Sequence, residues 1–140
     1  MTVQGAVTGK PRTFLRLEGA VLFAGGVWAF LATEEAWWLL PALLLVPDLF
    51  MVGYAKSSRA GALLYNVAHS YPLPAGMAAI GVIADQPLLW ALALIWFAHI
   101  GMDRMFGYGL KYDTGFSDTH LGRIGSDRTR KVSAARSSRS

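Results

Sequence analysis

The stretch LEGAVLFAGGVWAFLATEEAWWLLPALLLVPDLFMVGYA, residues 17–55, contains no lysine or arginine. A second stretch without either residue runs from 60 to 103. The basic residues form three groups around these stretches: Lys10, Arg12 and Arg16, then Lys56 and Arg59, then all those from Arg104 onward. Each basic-free stretch is long enough for two apolar helices, since one membrane span needs about 20 residues.

The charges within the two stretches indicate how the chain crosses a bilayer. The tips of the two predicted hairpins carry acidic residues only, Glu34 and Glu35 in the first and Asp85 in the second. Short loops rich in lysine and arginine stay on the cytoplasmic side. The sequence therefore predicts an all-α fold, a four-helix transmembrane bundle of the plasma (inner) membrane with both termini cytoplasmic.

Apolar runs place the four predicted helices. They cover about Phe14–Ala32, Ala36–Tyr54, Ala60–Ala84 and Pro87–Phe106. The third contains Pro72 and Pro74, which remove two backbone donors, and we expect a kink or break there. The remaining predicted parts are an N-terminal cytoplasmic arm (1–12), the transmembrane domain (13–107), an ordered cytoplasmic segment or lid (108–124) and a disordered basic tail (125–140).

Composition agrees with a membrane protein and excludes other classes. The chain is 54% hydrophobic and only 16% charged, whereas a soluble domain has about a quarter charged residues. Five of the thirteen basic residues fall within Arg128–Arg139, so the net charge is not spread over a surface for nucleic acid. That tail either enforces topology or binds anionic lipid headgroups. There is no cysteine.

Ionisable residues within the predicted spans are costly in a bilayer and indicate a functional site. Asp48, His69 and His99 lie within ten residues of a basic residue at the predicted inner edge, roughly 8–15 Å deep at 1.5 Å per helical residue. Glu18, Asp103 and Arg104 lie nearer that edge. Their one-sided placement predicts a single polar site that opens to the cytoplasm.

Spacing indicates what this site could bind. His99 and Asp103 are four residues apart and share one helix face, and Tyr65 and Asn66 stack beside His69 in the same way. Two imidazoles and two carboxylates form a plausible site for zinc or a similar divalent metal. The predicted metal ligands are Asp48, His69, His99 and Asp103. The alternative is a polar network without metal that holds the helices together.

His120 is the third histidine and lies in the segment 108–124. This segment contains glycines, tyrosines and Lys111, unlike the tail after it. We expect one of two arrangements. The segment either folds under the bundle as a lid that brings His120 towards the site, or lies at the membrane interface, where its aromatic residues hold it.

Several blocks of the sequence resemble the bacterial membrane family catalogued as domain of unknown function 4260. The resemblance covers about residues 14–124. It rests on Leu15-Arg16-Leu17-Glu18-Gly19, Pro47-Asp48-Leu49, Tyr65-Asn66-Val67-Ala68-His69, His99-Ile100-Gly101-Met102-Asp103-Arg104, Gly107-Tyr108-Gly109-Leu110-Lys111-Tyr112, Phe116 and Thr119-His120-Leu121-Gly122. It implies a small multi-pass membrane protein and no particular activity. Pro47-Asp48, His69-Ser70 and the sequence from His99 through Asp103 to Gly107 are also similar to membrane-bound metal-dependent hydrolases.

Three functions from different classes follow. As a hydrolase, the protein would use a metal-bound water on a lipid or amphiphile that enters from the cytoplasmic leaflet. As a proton- or ion-coupled carrier, it would need a homo-oligomer, because four helices are few for a transporter. As a membrane scaffold, it would use the polar residues only for packing.

Overall fold

The computed structural model describes residues 4–125. The helices are α1 (Gly9–Leu31), α2 (Leu39–Leu43), a 3₁₀ helix (Val46–Ala55), α3 (Ser58–Ala68), α4 (Pro72–Ile83) and α5 (Pro87–Phe106), followed by the short strands β1 (Asp118–Thr119) and β2 (Gly122–Arg123). The fold is therefore helical, as predicted, with one small hairpin. The predicted basic tail lies outside the described residues, apart from Gly125.

The two longest helices, α1 and α5, pack against each other in antiparallel directions. Gly19 lies against the backbone of Arg104 and Met105, and Gly26 lies against Ala98. Small residues at these positions let the two helix backbones approach closely. The helix α5 also packs against α4, while the 3₁₀ helix packs against α3.

The second predicted helix, Ala36–Tyr54, is not one continuous α-helix. It consists of the short α2 and the 3₁₀ helix Val46–Ala55. Pro47 is at the first turn of the 3₁₀ helix; it has no N–H, and its ring would clash with the carbonyl four residues earlier in an α-helix. The first helix also differs from prediction, since α1 begins at Gly9 rather than near Phe14.

The third predicted helix is interrupted after Ala68, and α4 starts at Pro72. Pro72 has no N–H to donate to the carbonyl of Ala68. The indole Nε1 of Trp96 donates to this carbonyl instead, at 2.7 Å. Arg104 Nη2 donates to the carbonyl of His69 at 3.1 Å. Two side chains of α5 thus replace the backbone hydrogen bonds that the break removes, and His69 lies at the end of α3.

Residues after α5 turn back towards the helices. Gly107 ends α5 with a φ of 89°, a left-handed conformation that glycine adopts without strain. The N–H of Tyr108 then bonds to the carbonyl of Asp103 at 2.7 Å, as in a Schellman motif. Further on, β1 pairs with β2 in antiparallel register, Asp118 opposite Arg123. The N-terminal arm joins this segment, because the N–H of Val7 donates to the carbonyl of His120 at 2.7 Å.

The outer surface of the helices is strongly apolar. Val21, Trp28 and Ile83 are 72%, 75% and 85% exposed. The helices α1 and α5 are long and apolar enough to cross a membrane by length and composition. Only 17% of the most apolar stretch of α1 is buried within the protein, so most of the surface of that stretch faces outward.

Candidate functional site

Four side chains from three helices meet at one point of the fold. Asp48 comes from the first turn of the 3₁₀ helix, His69 from the end of α3, and His99 and Asp103 from α5. One donor atom from each residue lies within 4.8 Å of the others. His69, His99 and Asp103 are buried, and Asp48 is partly exposed. We call these four residues the His/Asp cluster; in the described chain they form a group that could hold a metal ion.

The separations between donor atoms match the edges of a metal coordination shell. His69 Nε2 lies 2.9 Å from His99 Nε2, 3.2 Å from Asp48 Oδ1 and 3.4 Å from Asp103 Oδ2. His99 Nε2 lies 3.5 Å from Asp48 Oδ1 and 3.9 Å from Asp103 Oδ2. Ligands about 2.0–2.2 Å from a tetrahedral zinc ion are roughly 3.3–3.6 Å apart. The separations of 2.9–3.9 Å from the imidazole nitrogens lie on both sides of this range, so the cluster is close to the size that a zinc ion requires.

Hydrogen bonds orient His69 towards the centre of the cluster. Its Nδ1 lies 2.8 Å from the carbonyl oxygen of Tyr65. A carbonyl oxygen only accepts, so Nδ1 donates to it, and Nε2 faces the carboxylates and His99. Metal-binding histidines commonly donate their second nitrogen to a backbone carbonyl in this way.

Tyr65 supports the cluster at a second point. Its hydroxyl donates to Asp103 Oδ2 at 2.7 Å, and its ring stacks on that of His69 with centroids 3.6 Å apart. One residue of α3 thus holds a carboxylate of α5 and an imidazole of its own helix. His99 has no such support among the described residues, since its buried Nδ1 has no hydrogen-bond partner there.

Two cations lie near the cluster, but neither bonds to its carboxylates in the described chain. Arg104 donates to the carbonyl of His69, and Lys111 Nζ donates to the carbonyl of Phe116 at 2.8 Å. The two carboxylates face the histidines instead. A third cation, located between the carboxylates and the imidazoles, would balance their charge.

A cavity of about 220 Å³ adjoins the cluster. Its lining includes Asp48, Tyr65, Asp103, Tyr108, Lys111 and Phe116. It lies between the helices and the segment that follows α5, and it gives Asp48 and Asp103 one open side. The cluster is therefore accessible to water and small molecules from this direction.

Lys111 was not among the predicted site residues, yet it lines this cavity and is only 5% exposed. Its ammonium lies 4.8 Å from the centroid of the Tyr65 ring and 3.8 Å from that of Phe116. Burial lowers the pKa of Lys111, while the charges of Asp103 and Asp48 act in the opposite direction. The aromatic residues around it in sequence were the only available signal.

Asn66 positions Lys111 without joining the cluster. Its Nδ2 donates to the carbonyl of Lys111 at 2.8 Å, and its Oδ1 accepts from the N–H of Lys111 at 2.7 Å. This pair of hydrogen bonds attaches the segment after α5 to α3.

The two remaining predicted site residues lie outside the cluster. Glu18 is exposed on α1. His120 lies against Gly109, and its Nδ1 accepts from the N–H of Leu110 at 2.8 Å. Burial and the positive charge of Arg104 lower the pKa of His120. The segment folds back against the helices, and the side chain that it brings to the cavity is Lys111 and not His120.

A comparison with known protein families identifies the family of this chain. The family model described as Domain of unknown function (DUF4260) matches residues 12–124. The chain belongs to this family. No curated protein and no solved structure matches it. All four residues of the His/Asp cluster fall within the matched part of this DUF4260 protein, whereas the resemblance to metal-dependent hydrolases stays a prediction from the sequence.

Proposed function

We propose that this DUF4260 protein is a four-span inner-membrane hydrolase whose His/Asp cluster binds a divalent metal such as zinc. Both termini would be cytoplasmic, and the substrate would be a lipid or amphiphile that enters from the cytoplasmic leaflet. The observation that carries the proposal is the convergence of four donor atoms within 4.8 Å of one another, in which each imidazole nitrogen lies 2.9–3.9 Å from the other donors.

The distribution of basic residues and the apolar outer surface support the proposed membrane location. Basic residues are absent from 17–55 and 60–103, and exposed apolar side chains such as Val21, Trp28 and Ile83 cover the helices. A soluble monomer rarely exposes large contiguous apolar patches, whereas lipid tails would cover them. The basic loops then set the orientation.

The cavity and the ligand set define the chemistry that is available. A bound divalent metal would acidify a water molecule and so supply a nucleophile at neutral pH. Catalytic zinc sites need a position for that water, and four-coordinate sites sometimes expand to five ligands. Asp48 and Asp103 border the cavity, so water would approach from this side. Tyr65 holds Asp103 in place by its hydroxyl.

Elemental analysis of the detergent-purified protein tests the metal site. We expect about one zinc per chain, removed by a chelator together with any hydrolysis of amphiphilic esters, and both restored by added zinc. Asp48→Asn should lower both, because it replaces a charged ligand with a neutral amide. Glu18→Gln, at an exposed carboxylate of α1, is the matched control. If the purified protein holds no metal and the two variants are equally stable, the cluster is a packing network and the protein is a scaffold instead.

Cysteine labelling tests the topology. The chain has no native cysteine, so single cysteines at Glu35 and at Ser137 report the two sides of the membrane directly. An impermeant reagent added to intact cells should label position 35 and not position 137, because the positive-inside rule places the basic end inside. Labelling of both positions from outside would contradict two cytoplasmic termini.

A further inference from the structure

We propose that the cavity beside the His/Asp cluster binds the phosphate group of an amphiphilic phosphate ester, with Lys111 as the residue that recognises the phosphate. The inference rests on the proposed metal site and names the class of its substrate. Lys111 takes part in neither the metal ligation nor its support, so its role can be tested separately.

The position of Lys111 is unusual for a lysine. It is almost fully buried on the cavity wall, and the two Asn66 hydrogen bonds hold its backbone in place. Burial of an ammonium group is costly without charged or hydrogen-bonding partners. In the described chain the ammonium contacts the carbonyl of Phe116 and two aromatic rings. An ammonium has three donors, so capacity remains for a ligand in the cavity.

The charge of the loaded site favours an anion. Asp48 and Asp103 carry two negative charges, which a divalent metal balances. The charge of Lys111 is then not compensated, and Arg104, which donates to the carbonyl of His69, adds a second positive charge. A phosphate monoester carries up to two negative charges and several acceptor oxygens, and lysine is a common phosphate-binding residue. The cavity of about 220 Å³ is far larger than the about 30 Å³ of one water.

A second cavity indicates where an apolar chain could lie. It measures about 250 Å³ and is lined by apolar residues that include Pro47, Phe50, Met77, Ile95 and Trp96. Pro47 precedes Asp48, which lines the first cavity. The phosphate could thus belong to a lipid or to a soluble ester. In either case hydrolysis joins the water oxygen to phosphorus and breaks the bond to the alcohol oxygen, which takes one of the water protons.

Calorimetric titration of inorganic phosphate into zinc-loaded protein in a maltoside detergent tests the proposal. We expect one phosphate per chain, and about 10-fold or more weaker binding in Lys111→Met, because a hydrogen bond to a charged group is lost. Zinc content should stay at the wild-type level. Lys56→Met is the matched control, since Lys56 is exposed and outside the cavity. Acetate should bind more weakly than phosphate.

A second measurement needs no substitution, so it tests the phosphate site even if the Lys111→Met variant does not fold. Methyl phosphate should compete with phosphate in the wild type, whereas neutral trimethyl phosphate should not. Short-chain phosphatidate distinguishes the sources: tighter binding than methyl phosphate indicates a lipid, and equal binding indicates a soluble ester.

The failures of the two proposals are distinguishable. Zinc-loaded protein that binds no phosphate, or equal phosphate affinity in folded Lys111→Met and wild type, would overturn the phosphate site and leave the metal site intact. Competition by trimethyl phosphate would also overturn it. Protein that binds no zinc would overturn the proposed function, and the phosphate site with it.

Discussion

Zinc should be lost from the protein when His69 is replaced by alanine. His69 Nε2 lies within 3.4 Å of the donor atoms of all three other cluster residues, so this substitution removes the central nitrogen of the proposed metal site. The loss of affinity should exceed the about 10- to 100-fold that follows the removal of an outer-shell partner. Competition with a chelator of known affinity measures it in the purified protein.

Two further variants sharpen this experiment. Tyr65→Phe removes only the hydroxyl that donates to Asp103, and it should weaken zinc binding about 10- to 100-fold. His120→Ala removes another imidazole, but one that bonds to Leu110 outside the cluster, and it should retain zinc. Equal zinc affinity in His69→Ala and His120→Ala would contradict the assigned ligands.

The second large effect concerns the contact between α1 and α5. A Cβ at Gly101 would lie against the backbone nitrogen of Phe23 and 2.8 Å from the carbonyl oxygen of Gly19. Backbone cannot rotate away as a side chain can, so Gly101→Ala must push the two helices apart. Overpacking of this kind costs about 1–3 kcal/mol. We expect a lower midpoint of thermal unfolding in detergent, measured by circular dichroism.

Gly25→Ala is the control for that substitution. Gly25 is also in the middle of a helix, but a Cβ there meets nothing within 4 Å. Alanine forms helix better than glycine by up to about 1 kcal/mol, so this variant should be as stable as the wild type or more stable. If both alanine variants unfold at the same temperature, the close contact at Gly101 does not limit stability.

Much of the helix arrangement was predictable from local patterns. The four apolar runs correspond to helical regions, and Pro72 interrupts the third because a missing N–H acts wherever proline occurs in a helix. Pro47 is equally visible in the sequence, but its effect was missed. A single proline early in a helix is often tolerated, and only the folded chain reveals the 3₁₀ conformation that follows.

The cluster was predictable and the cavity was not, for a physical reason. The depth of Asp48, His69 and His99 follows from counting residues along a helix, and the spacing of His99 and Asp103 follows from helical periodicity. Lys111 belongs to an irregular segment, where distance along the chain does not determine position. Its location depends on two hydrogen bonds to Asn66, 45 residues away, and no periodicity indicates that pairing.

The origin of the cluster in three separate helices has a consequence for synthesis on the ribosome. Asp48 emerges in the first half of the chain, His69 follows, and His99 and Asp103 emerge last. A nascent chain that ends before α5 therefore holds only two of the four cluster residues, and the end of α3 lacks the hydrogen bonds from Trp96 to Ala68 and from Arg104 to His69. The helix α5 must therefore be synthesised before the complete cluster can form.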